Sequence, residues 1–320
     1  MKVLITGGAG FIGSYLSEAY LERENEVYVI DDLSTGRLEN IKHLLKNPGF
    51  HFLNDTILNR DAMLELTGIC DVVVHLAAAV GVKLIIDEPL KSIHTNIAGT
   101  EIVLELANKF RKKTFLASTS EVYGRNSKVP LAEDDERIYG STAVARWSYA
   151  ATKAMDEFLA LAYYHNKQLP VIVARFFNTV GPRQTGRYGM VVPRFVGQAL
   201  RNEPLTIYGT GAQTRTFTYV GDVVQGVMSL IDEPRAVGEI FNIGGDEEIS
   251  INDLANRVRT LTGSSSPIEH IPYERAYQEG FEDMERRVPD ISKLKRTVGY
   301  ANTHDLDSML DKIIEHERTR

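Results

Sequence analysis

A glycine-rich turn between an apolar strand pattern and a helical pattern limits the fold of this chain more than any other feature. Val3-Leu4-Ile5 is followed by Gly7-Gly8-Ala9-Gly10-Phe11-Ile12-Gly13, and a helical pattern continues to about Glu22. This order presents backbone N–H groups and the positive end of a helix dipole to a pyrophosphate. Glycine is required because only a residue without Cβ lets the main chain turn so sharply against a phosphate. The alternative is a glycine turn that holds no ligand.

A second apolar run, Val27-Tyr28-Val29-Ile30, ends at Asp31. Asp31 lies about twenty residues beyond the glycines, where an acidic residue binds the adenosine ribose in dinucleotide-binding βαβ units. We therefore predict a bound dinucleotide. Arg37 could instead bind the phosphate of NADP, but an acid at the strand end repels that phosphate, so the sequence favours NAD.

Size and composition are those of an ordinary globular protein, with 320 residues, 43% hydrophobic and 25% charged. No apolar run reaches about 18 residues, and Met1-Lys2 leads directly into a strand, so we expect neither a membrane span nor a signal peptide. The single cysteine, Cys70, predicts a small buried residue and a cytoplasmic protein without an internal disulfide. The net charge of −7 argues against a nucleic-acid partner. No His, Cys and carboxylate spacing indicates a metal site.

Strand patterns alternate with helical ones in the first part of the chain, at 2–6, 26–31, 50–53, 71–76, 114–118 and 171–175. This predicts an α/β fold with a Rossmann-type, doubly wound parallel sheet. Beyond residue 175, short apolar runs at 205–208, 216–220, 240–243 and 268–271 stand among Gly and Pro turns. We predict an NAD-binding domain over 1–175 and a smaller C-terminal α/β substrate-binding domain over 176–320, with about 216–233 returning to the first domain.

Tyr149 and Lys153 stand four positions apart in the helical pattern of 148–166, and therefore on one helix face. Tyrosine, with a pKa of about 10, is a poor base at neutral pH, but a nearby cation favours its phenolate. Such a pair could remove a hydroxyl proton while a hydride leaves the same carbon for the cofactor. The alternative is a surface tyrosine beside a solvated lysine, which the dinucleotide signature in the same chain disfavours.

A second polar cluster, Ser118-Thr119-Ser120-Glu121-Val122-Tyr123-Gly124, directly follows the strand pattern at 114–117. Ligands of doubly wound sheets bind beyond the carboxyl ends of the strands, so we expect these hydroxyls and Glu121 to face the site. The alternative is a polar strand end that caps the next helix.

These motifs resemble those of the extended short-chain dehydrogenase/reductases that modify nucleotide sugars, over nearly the whole chain. The resemblance implies that bound NAD oxidises the C4 hydroxyl of a UDP-sugar to a ketone. It also implies a homodimer, formed through the helices around 95–110 and 148–166. It is carried by Gly7-x-x-Gly10-x-x-Gly13, Asp31-Asp32, Asp55-Thr56, His75-Leu76-Ala77-Ala78, Thr119 to Gly124, Tyr149-x-x-x-Lys153, Arg175-Phe176-Phe177-Asn178, Gly181-Pro182-Arg183, Gln213 to Phe217 and Arg286 to Asp290.

The resemblance also implies roles for individual residues. Tyr149 is the base, Lys153 holds the nicotinamide ribose, and Thr119 hydrogen-bonds the C4 oxygen. The implied cofactor contacts are Gly7, Gly10, Phe11, Ile12, Gly13, Asp31 and Asp32, with Asp55 and Thr56 at the adenine, and Leu76, Ala77, Ala78 and Asn96. The implied substrate contacts are Asn178 and Arg215 at the diphosphate, then Arg187, Val192, Tyr208 and Arg287. Tyr208 and Phe217 could stack near the uracil or belong to the core.

The residues after Thr119 separate the reactions of this family. Epimerases usually have small residues where this chain has Glu121, and 4,6-dehydratases have an acidic aspartate where it has Ser120. Thr119-Ser120-Glu121 instead resembles the UDP-glucuronate decarboxylases, as do Arg146-Trp147-Ser148-Tyr149 and the stretch 279–289. A glucuronate oxidised at C4 is a β-keto acid and loses CO₂ readily. The resemblance implies that Arg287, with Ser120, holds the carboxylate or protonates C5.

Several alternatives stay open at this point. Arg287 could form a salt bridge with Asp283 or Glu285, and the stretch 79–90, expected to line the sugar pocket, follows neither subfamily. A UDP-sugar 4-epimerase, acting on UDP-glucose and UDP-galactose or on their uronates, is the nearest alternative reaction, and a 4,6-dehydratase is more distant. A non-catalytic NAD(H)-sensing protein of the same fold is the alternative of another class, against which Tyr149 and Lys153 speak.

Overall fold

The structure, a computed structural model, describes residues 1–81, 85, 87–186, 190–276 and 284–319, and it confirms the predicted α/β fold. A seven-stranded parallel sheet has the order β11-β6-β5-β4-β1-β2-β3. The chain reverses its direction of winding between β1 and β4, which is where doubly wound sheets bind ligands. The strands are β1 (Lys2–Thr6), β2 (Glu26–Ile30), β3 (Phe50–Leu53), β4 (Val72–His75), β5 (Lys113–Thr119), β6 (Val171–Phe176) and β11 (Ile240–Ile243).

Two helical layers cover the sheet because its central strands are apolar on both faces. In β1, Val3 and Ile5 face one layer and Leu4 faces the other, and all three are fully buried. The first layer holds α1 (Phe11–Glu22) and α6 (Val220–Asp232); the second holds α2 (Arg60–Ile69), α3 (Pro89–Phe110) and α4 (Arg146–Lys167).

The strand β11 corrects one sequence-based expectation. The run 240–243 was expected among the short elements of the smaller domain, but it lies at the edge of the main sheet, with Ile240 opposite Val173. Phe241 and Ile243 are buried in the same core as β1. A local apolar run does not reveal its pairing partner, so this placement depends on the folded chain. The domain boundary at residue 175 stays a prediction.

Most of the remaining elements build a second core near the carboxyl ends of the sheet strands, whereas Leu294, on the helix Ser292–Val298, is buried in the same core as β1. Phe195, Leu254 and Leu310 are fully buried in the second core. Among the described residues, no helix combines the length and the apolar character needed to cross a membrane. The elements are β7 (Thr179–Val180), α5 (Val191–Leu200), β8 (Leu205–Tyr208), β9 (Thr214–Thr216), β10 (Thr218–Tyr219), β12 (Glu248–Ser250), α7 (Ile251–Thr262), β13 (Ile268–Ile271), α8 (Tyr273–Ala276), β14 (Arg286–Arg287), α9 (Ser292–Val298) and α10 (Leu306–Thr319).

Candidate active site

A cleft of about 760 Å³ lies at the carboxyl ends of the sheet strands and extends toward the second core. It brings together residues predicted for the cofactor and for the substrate, which are far apart in sequence. Arg187 and the stretch 279–283 lie outside the described residues. The predicted site residues that line the cleft are Gly7, Gly10, Phe11, Ile12, Gly13, Asp31, Asp32, Asp55, Thr56, Leu76, Ala77, Ala78, Thr119, Ser120, Glu121, Tyr149, Lys153, Asn178, Val192, Tyr208, Arg215 and Arg287.

The glycine turn fits the close approach of a ligand backbone. Gly7 has φ +73°, and a Cβ there would lie 2.8 Å from the backbone nitrogen of Ala77. A Cβ on Gly13 would lie 2.3 Å from the carbonyl oxygen of Gly7. Side chains are therefore excluded where the turn meets the first residues of α1, whose N–H groups remain accessible to an anion.

Acidic side chains mark the rim where a dinucleotide's adenosine half would lie. Asp31 is 8% exposed, and its carboxylate accepts hydrogen bonds from the backbone N–H groups of Ala9 (2.9 Å) and Leu33 (2.8 Å). Asp55 similarly accepts one from the backbone N–H of Thr56 at 2.7 Å. These bonds fix the positions of both carboxylates at the cleft, and their ribose and adenine contacts stay a prediction.

Two residues considered as cofactor contacts, Arg37 and Asn96, form hydrogen bonds with other groups of the protein. The Arg37 guanidinium donates to the Thr185 hydroxyl at 3.1 Å, so it joins the strand-end loop to the turn after β7. Asn96 lies behind the cleft wall, where its Oδ1 accepts a hydrogen bond from the backbone N–H of Ala79 at 2.8 Å. A direct contact of Asn96 with the cofactor stays a prediction; the observed role of its amide is to shape the loop after β4.

Tyr149 and Lys153 lie on α4 with their side chains in the cleft wall, 7% and 3% exposed. The Tyr149 hydroxyl is hydrogen-bonded to Thr119. Burial raises the pKa of Tyr149 well above its usual value, and the Glu121 carboxylate raises it further. Additional positive charge beside the phenol is therefore needed before it can act as a base near neutral pH.

The polar cluster after β5 forms a 3₁₀ turn, Ser120–Tyr123, that points Glu121 into the cleft. The Thr119 hydroxyl accepts a hydrogen bond from the backbone N–H of Glu121 at 3.2 Å. Thr119 therefore caps the turn, as the structural interpretation of this cluster predicts, and it also lines the cleft, as the functional one predicts, where it contacts Tyr149.

Glu121 lies between two guanidinium groups. Its Oε2 is 2.5 Å from Nη1 of Arg146, and its Oε1 is hydrogen-bonded by Nη1 of Arg287. Burial would raise the pKa of Glu121, but the two arginines outweigh burial and hold that pKa far below its usual range. Nη1 of Arg287 also lies 3.4 Å from the Ser120 hydroxyl. These three charged groups, the Arg146–Glu121–Arg287 cluster, together carry one positive charge.

The partner of Arg287 differs from the alternatives that the sequence offered. Arg287 pairs with Glu121, which precedes it by 166 positions, whereas Glu285 contributes its backbone carbonyl to Arg215 and Thr214. Asp283 lies outside the described residues. Arg287 thus joins the second core to the turn after β5, at the place where the resemblance puts the sugar carboxylate.

The far end of the cleft holds the predicted diphosphate and nucleoside contacts. Asn178 donates to the backbone carbonyl of Thr216 at 2.8 Å, and Arg215, 6% exposed, lines the same wall. The Tyr208 ring lies 4.1 Å from the guanidinium carbon of Arg194. Phe217 lines the cleft and is also packed in the second core, while its stacking near the uracil stays a prediction.

Sequence analysis gave no individual role to two charged residues near Tyr149 and Lys153, although one of them, Arg146, belongs to the Arg146-Trp147-Ser148-Tyr149 motif. Arg146 precedes Tyr149 by three positions, and Asp156 follows Lys153 by three. Residues three apart share a helix face, so helical spacing from the tyrosine–lysine pair was a usable signal for both. The partner of Arg146 could not be predicted from helical spacing, because Glu121 comes from another element.

Comparisons with known proteins agree with this geometry. The family described as GDP-mannose 4,6 dehydratase matches residues 4–313. A UDP-N-acetyl-α-D-glucosaminuronate decarboxylase from Bacillus cytotoxicus is 44% identical over 92% of this chain and 90% of its own. UDP-glucuronic acid decarboxylase 1 from Danio rerio is 36% identical over 98% of this chain and 72% of its own. A solved UDP-glucuronic acid 4-epimerase from Bacillus cereus, bound to UDP-glucuronic acid and NAD, is 33% identical with a TM-score of 0.90, covering 100% of this chain and 99% of that one.

Proposed function

This chain belongs to the GDP-mannose 4,6 dehydratase family, within the nucleotide-sugar-modifying short-chain dehydrogenase/reductases that its motifs predict, and from this we propose that it decarboxylates a UDP-linked uronic acid with bound NAD. The observation that carries the proposal is the Arg146–Glu121–Arg287 cluster in the cleft wall, close to Tyr149 and Ser120. Guanidinium groups match carboxylates, so this wall favours a uronate over a neutral hexose.

The residues present fit NAD as the cofactor. The glycine turn would hold the pyrophosphate, Asp31 the adenosine ribose, Asp55 the adenine, and Lys153 the nicotinamide ribose. The Asp31 carboxylate at the end of β2 would repel the phosphate of NADP, and Arg37 is bonded to Thr185, which supports NAD over NADP. NAD held by these residues would supply the hydride acceptor for oxidation of the sugar at C4 and the hydride donor for its later reduction.

The protein's own residues move protons and restrain the sugar. Tyr149 removes the proton of the C4 hydroxyl while Thr119 hydrogen-bonds its oxygen. The oxidised uronate is a β-keto acid: its C5–C6 bond breaks, CO₂ leaves, and the electron pair forms a C4–C5 enolate. Arg287, whose Nη1 lies 3.4 Å from the Ser120 hydroxyl, would act with Ser120 either to restrain the carboxylate or to deliver the C5 proton. Tyr149 returns its proton to the C4 oxygen when C4 is reduced.

Glu121 has a distinct task in this scheme. Loss of CO₂ removes negative charge from the carboxylate, so a guanidinium that bound this group too tightly would stabilise the substrate more than the transition state. By pairing with Arg287 and Arg146, Glu121 weakens that hold while fixing the arginines in position. Its depressed pKa makes Glu121 a permanent carboxylate near neutral pH and an unsuitable proton donor.

Two UDP-uronates are candidate substrates, because the relatives named above act on UDP-N-acetylglucosaminuronate and on UDP-glucuronate. A second candidate function is 4-epimerisation of a UDP-uronate, supported by the likeness to the solved UDP-glucuronic acid 4-epimerase. Both reactions share C4 oxidation by Tyr149. A 4,6-dehydratase is disfavoured because Ser120 replaces the acid that elimination requires.

We also propose a homodimer in the cytoplasm. Met155 and Phe158 on α4 are 54% and 60% exposed, which is unusual for large apolar side chains on one helix face, and burying them in a helix–helix contact would be favourable. The free, buried Cys70 fits a reducing compartment. Sedimentation of the wild type and of Phe158→Glu tests the dimer: a dimer that dissociates in the variant supports it, and a wild-type monomer contradicts it.

The reaction is tested with a panel of UDP-sugars and the purified protein with its bound cofactor. UDP-glucuronate, UDP-N-acetylglucosaminuronate, UDP-glucose and UDP-N-acetylglucosamine are incubated separately, and products are identified by mass and chromatography. Loss of one CO₂ from a uronate supports the proposal. An isomer of unchanged mass would instead establish the epimerase, loss of water a dehydratase, and binding without turnover a sensor.

A further inference from the structure

We propose that Asp156 is a positioning residue that holds the Lys153 ammonium and sets the pH range in which Tyr149 can remove a proton. This inference rests on the proposed function, because it concerns the base of that reaction. Sequence reasoning assigned no role to Asp156.

The first support is a buried ion pair on α4. Lys153 Nζ lies 2.9 Å from Asp156 Oδ2, and the two side chains are 3% and 2% exposed. An ammonium removed from water to this extent needs a counter-charge, and removing that charge leaves an uncompensated ion. Asp156 therefore fixes both the position and the charge balance of the lysine next to the catalytic phenol.

The second support is a chain of buried hydrogen bonds that reaches Asp156 from the other side. The Thr100 hydroxyl on α3 is bonded to the Asp156 carboxylate, and Nε2 of His75 lies 3.1 Å from Thr100 Oγ1. His75 Nδ1 lies 2.7 Å from Thr6 Oγ1, which accepts a hydrogen bond from the backbone N–H of Ala77 at 3.2 Å. The chain thus links the lysine to the ends of β1 and β4, beneath the glycine turn.

The directions of these hydrogen bonds follow from the groups at the two ends of the series, the Asp156 carboxylate and the backbone N–H of Ala77. An ionised Asp156 can only accept, so Thr100 donates to it and His75 donates to Thr100 through Nε2–H. Nδ1 of His75 then accepts from Thr6, in agreement with Ala77, whose N–H can only donate. This requires a neutral imidazole, and burial lowers the pKa of His75 to about 3. Every donor in this series of hydrogen bonds points toward the Asp156 carboxylate and stabilises its negative charge.

Other charged groups around the phenol are committed to one another. Glu121 is held by Arg146 and Arg287, while Glu157, next to Asp156 on α4, is held by Arg175 at 2.9 and 2.8 Å. Among the described residues, the charged or titratable groups that act on Tyr149, Lys153 or Asp156 are Arg146 and Glu157 on α4, Glu121 after β5 and His75 on β4. Arg287 on β14 is one contact further away, on Glu121.

These charges explain how Asp156 affects the base. After burial and Glu121, Asp156 is the next cause that raises the pKa of Tyr149, while Thr119 and Arg146 lower it. Because Asp156 compensates Lys153, the lysine alone stabilises the phenolate only weakly. Tyr149 therefore gives up its proton most readily when the positive charge of the oxidised cofactor lies beside it, and keeps it otherwise.

The test compares Asp156→Asn and Asp156→Ser with the matched control Asp222→Asn, all with bound cofactor. Asp222 lies on α6, away from the cleft, and is also a buried carboxylate, 5% exposed. It accepts a hydrogen bond from the backbone N–H of Thr303 at 3.1 Å. The first measurement is kcat against pH with the accepted UDP-uronate. Removal of a negative charge near the phenol lowers its pKa, so the fall of kcat at low pH should move to lower pH by roughly 1 unit in both Asp156 variants.

The second measurement does not require turnover. Tyrosinate absorbance is titrated with pH in each protein, and the contribution of Tyr149 is obtained by subtracting the same titration in a Tyr149→Phe background. The transition of Tyr149 should move to lower pH in the Asp156 variants and stay in place in Asp222→Asn. If the wild type turns over no UDP-uronate, the proposed function fails while this titration still decides the present inference.

Two results would overturn the inference. One is an unmoved tyrosinate transition in both Asp156 variants, even if they lose activity or thermal stability, because a merely structural carboxylate behaves in this way. The other is a shift to higher pH. The serine variant leaves a small acceptor near Lys153, so it provides the measurement if the asparagine variant does not fold.

Discussion

Glu121→Gln removes the only negative charge from the Arg146–Glu121–Arg287 cluster and replaces it with an amide of the same shape. The three side chains are 13%, 4% and 10% exposed, so the two guanidiniums lose their counter-charge in a largely buried wall. Removing one partner of a buried ion pair costs about 3–5 kcal/mol. At about 2.1 cal/mol/K per residue, 320 residues have an unfolding entropy near 0.7 kcal/mol/K, so Tm should fall by roughly 4–7 °C.

The matched control for this change is Glu248→Gln. Glu248 pairs with Arg286, the neighbour of Arg287 on β14, at 2.6 Å, but the two side chains are 25% and 55% exposed. Exposed ion pairs contribute about 0–1 kcal/mol, so the control should lower Tm by no more than about 1–2 °C. Both variants are measured by calorimetry with the same cofactor loading.

The same substitution should separate the two halves of the reaction. In the proposed mechanism, C4 oxidation depends on Tyr149, while loss of CO₂ depends on the positions of Arg287 and Ser120, which Glu121 fixes. We therefore expect a 4-keto uronate to accumulate in Glu121→Gln, detected by mass spectrometry in single-turnover samples, with CO₂ release slowed about 10²–10³-fold, as for the loss of one positioned polar group.

The pH dependence of stability provides an independent check. Because the folded-state pKa of Glu121 lies far below the ordinary value of 4.5, its stabilisation is fully present above that value and is lost as pH falls below it. The difference in unfolding free energy between wild type and Glu121→Gln should therefore shrink as the pH is lowered from 5 to about 3. Equal Tm losses in the two variants, or an unchanged rate of CO₂ release, would refute the reasoning.

Three further outcomes are expected. Tyr149→Phe should abolish turnover while cofactor stays bound in the purified protein, and unchanged activity would contradict the assignment of the base. Gly7→Ala should lose bound cofactor, seen by its absorbance, because the residue has φ +73° and its Cβ would lie 2.8 Å from the nitrogen of Ala77. Arg175→Met should cost about 3–5 kcal/mol in a denaturation experiment, since it leaves the buried carboxylate of Glu157 without its two-bonded partner; a near-neutral change would show that Glu157 is satisfied by other groups.

Much of the fold and of the cofactor site could be predicted from local sequence. The strand patterns at 2–6, 50–53 and 268–271 match the observed strands, because alternating or continuous apolar residues bounded by turns need only local geometry to be recognised. The run 240–243 was also a strand, but its place at the edge of the main sheet beside β6 depended on a partner far earlier in the chain.

The sequence by itself determined those functional groups whose relative positions depend only on local spacing. The glycine turn and the acid at the end of β2 belong to one strand–turn–helix–strand unit, and Tyr149 and Lys153 to one helix, so the relative positions within each follow from backbone geometry. The tertiary structure alone decided the charges around them. Arg287 meets Glu121 across 166 positions through the pairing of β14 with β9, and Asp156 meets Thr100 through the packing of α3 against α4. A carboxylate's partners are set by which elements pack together, and that information is spread over the whole core.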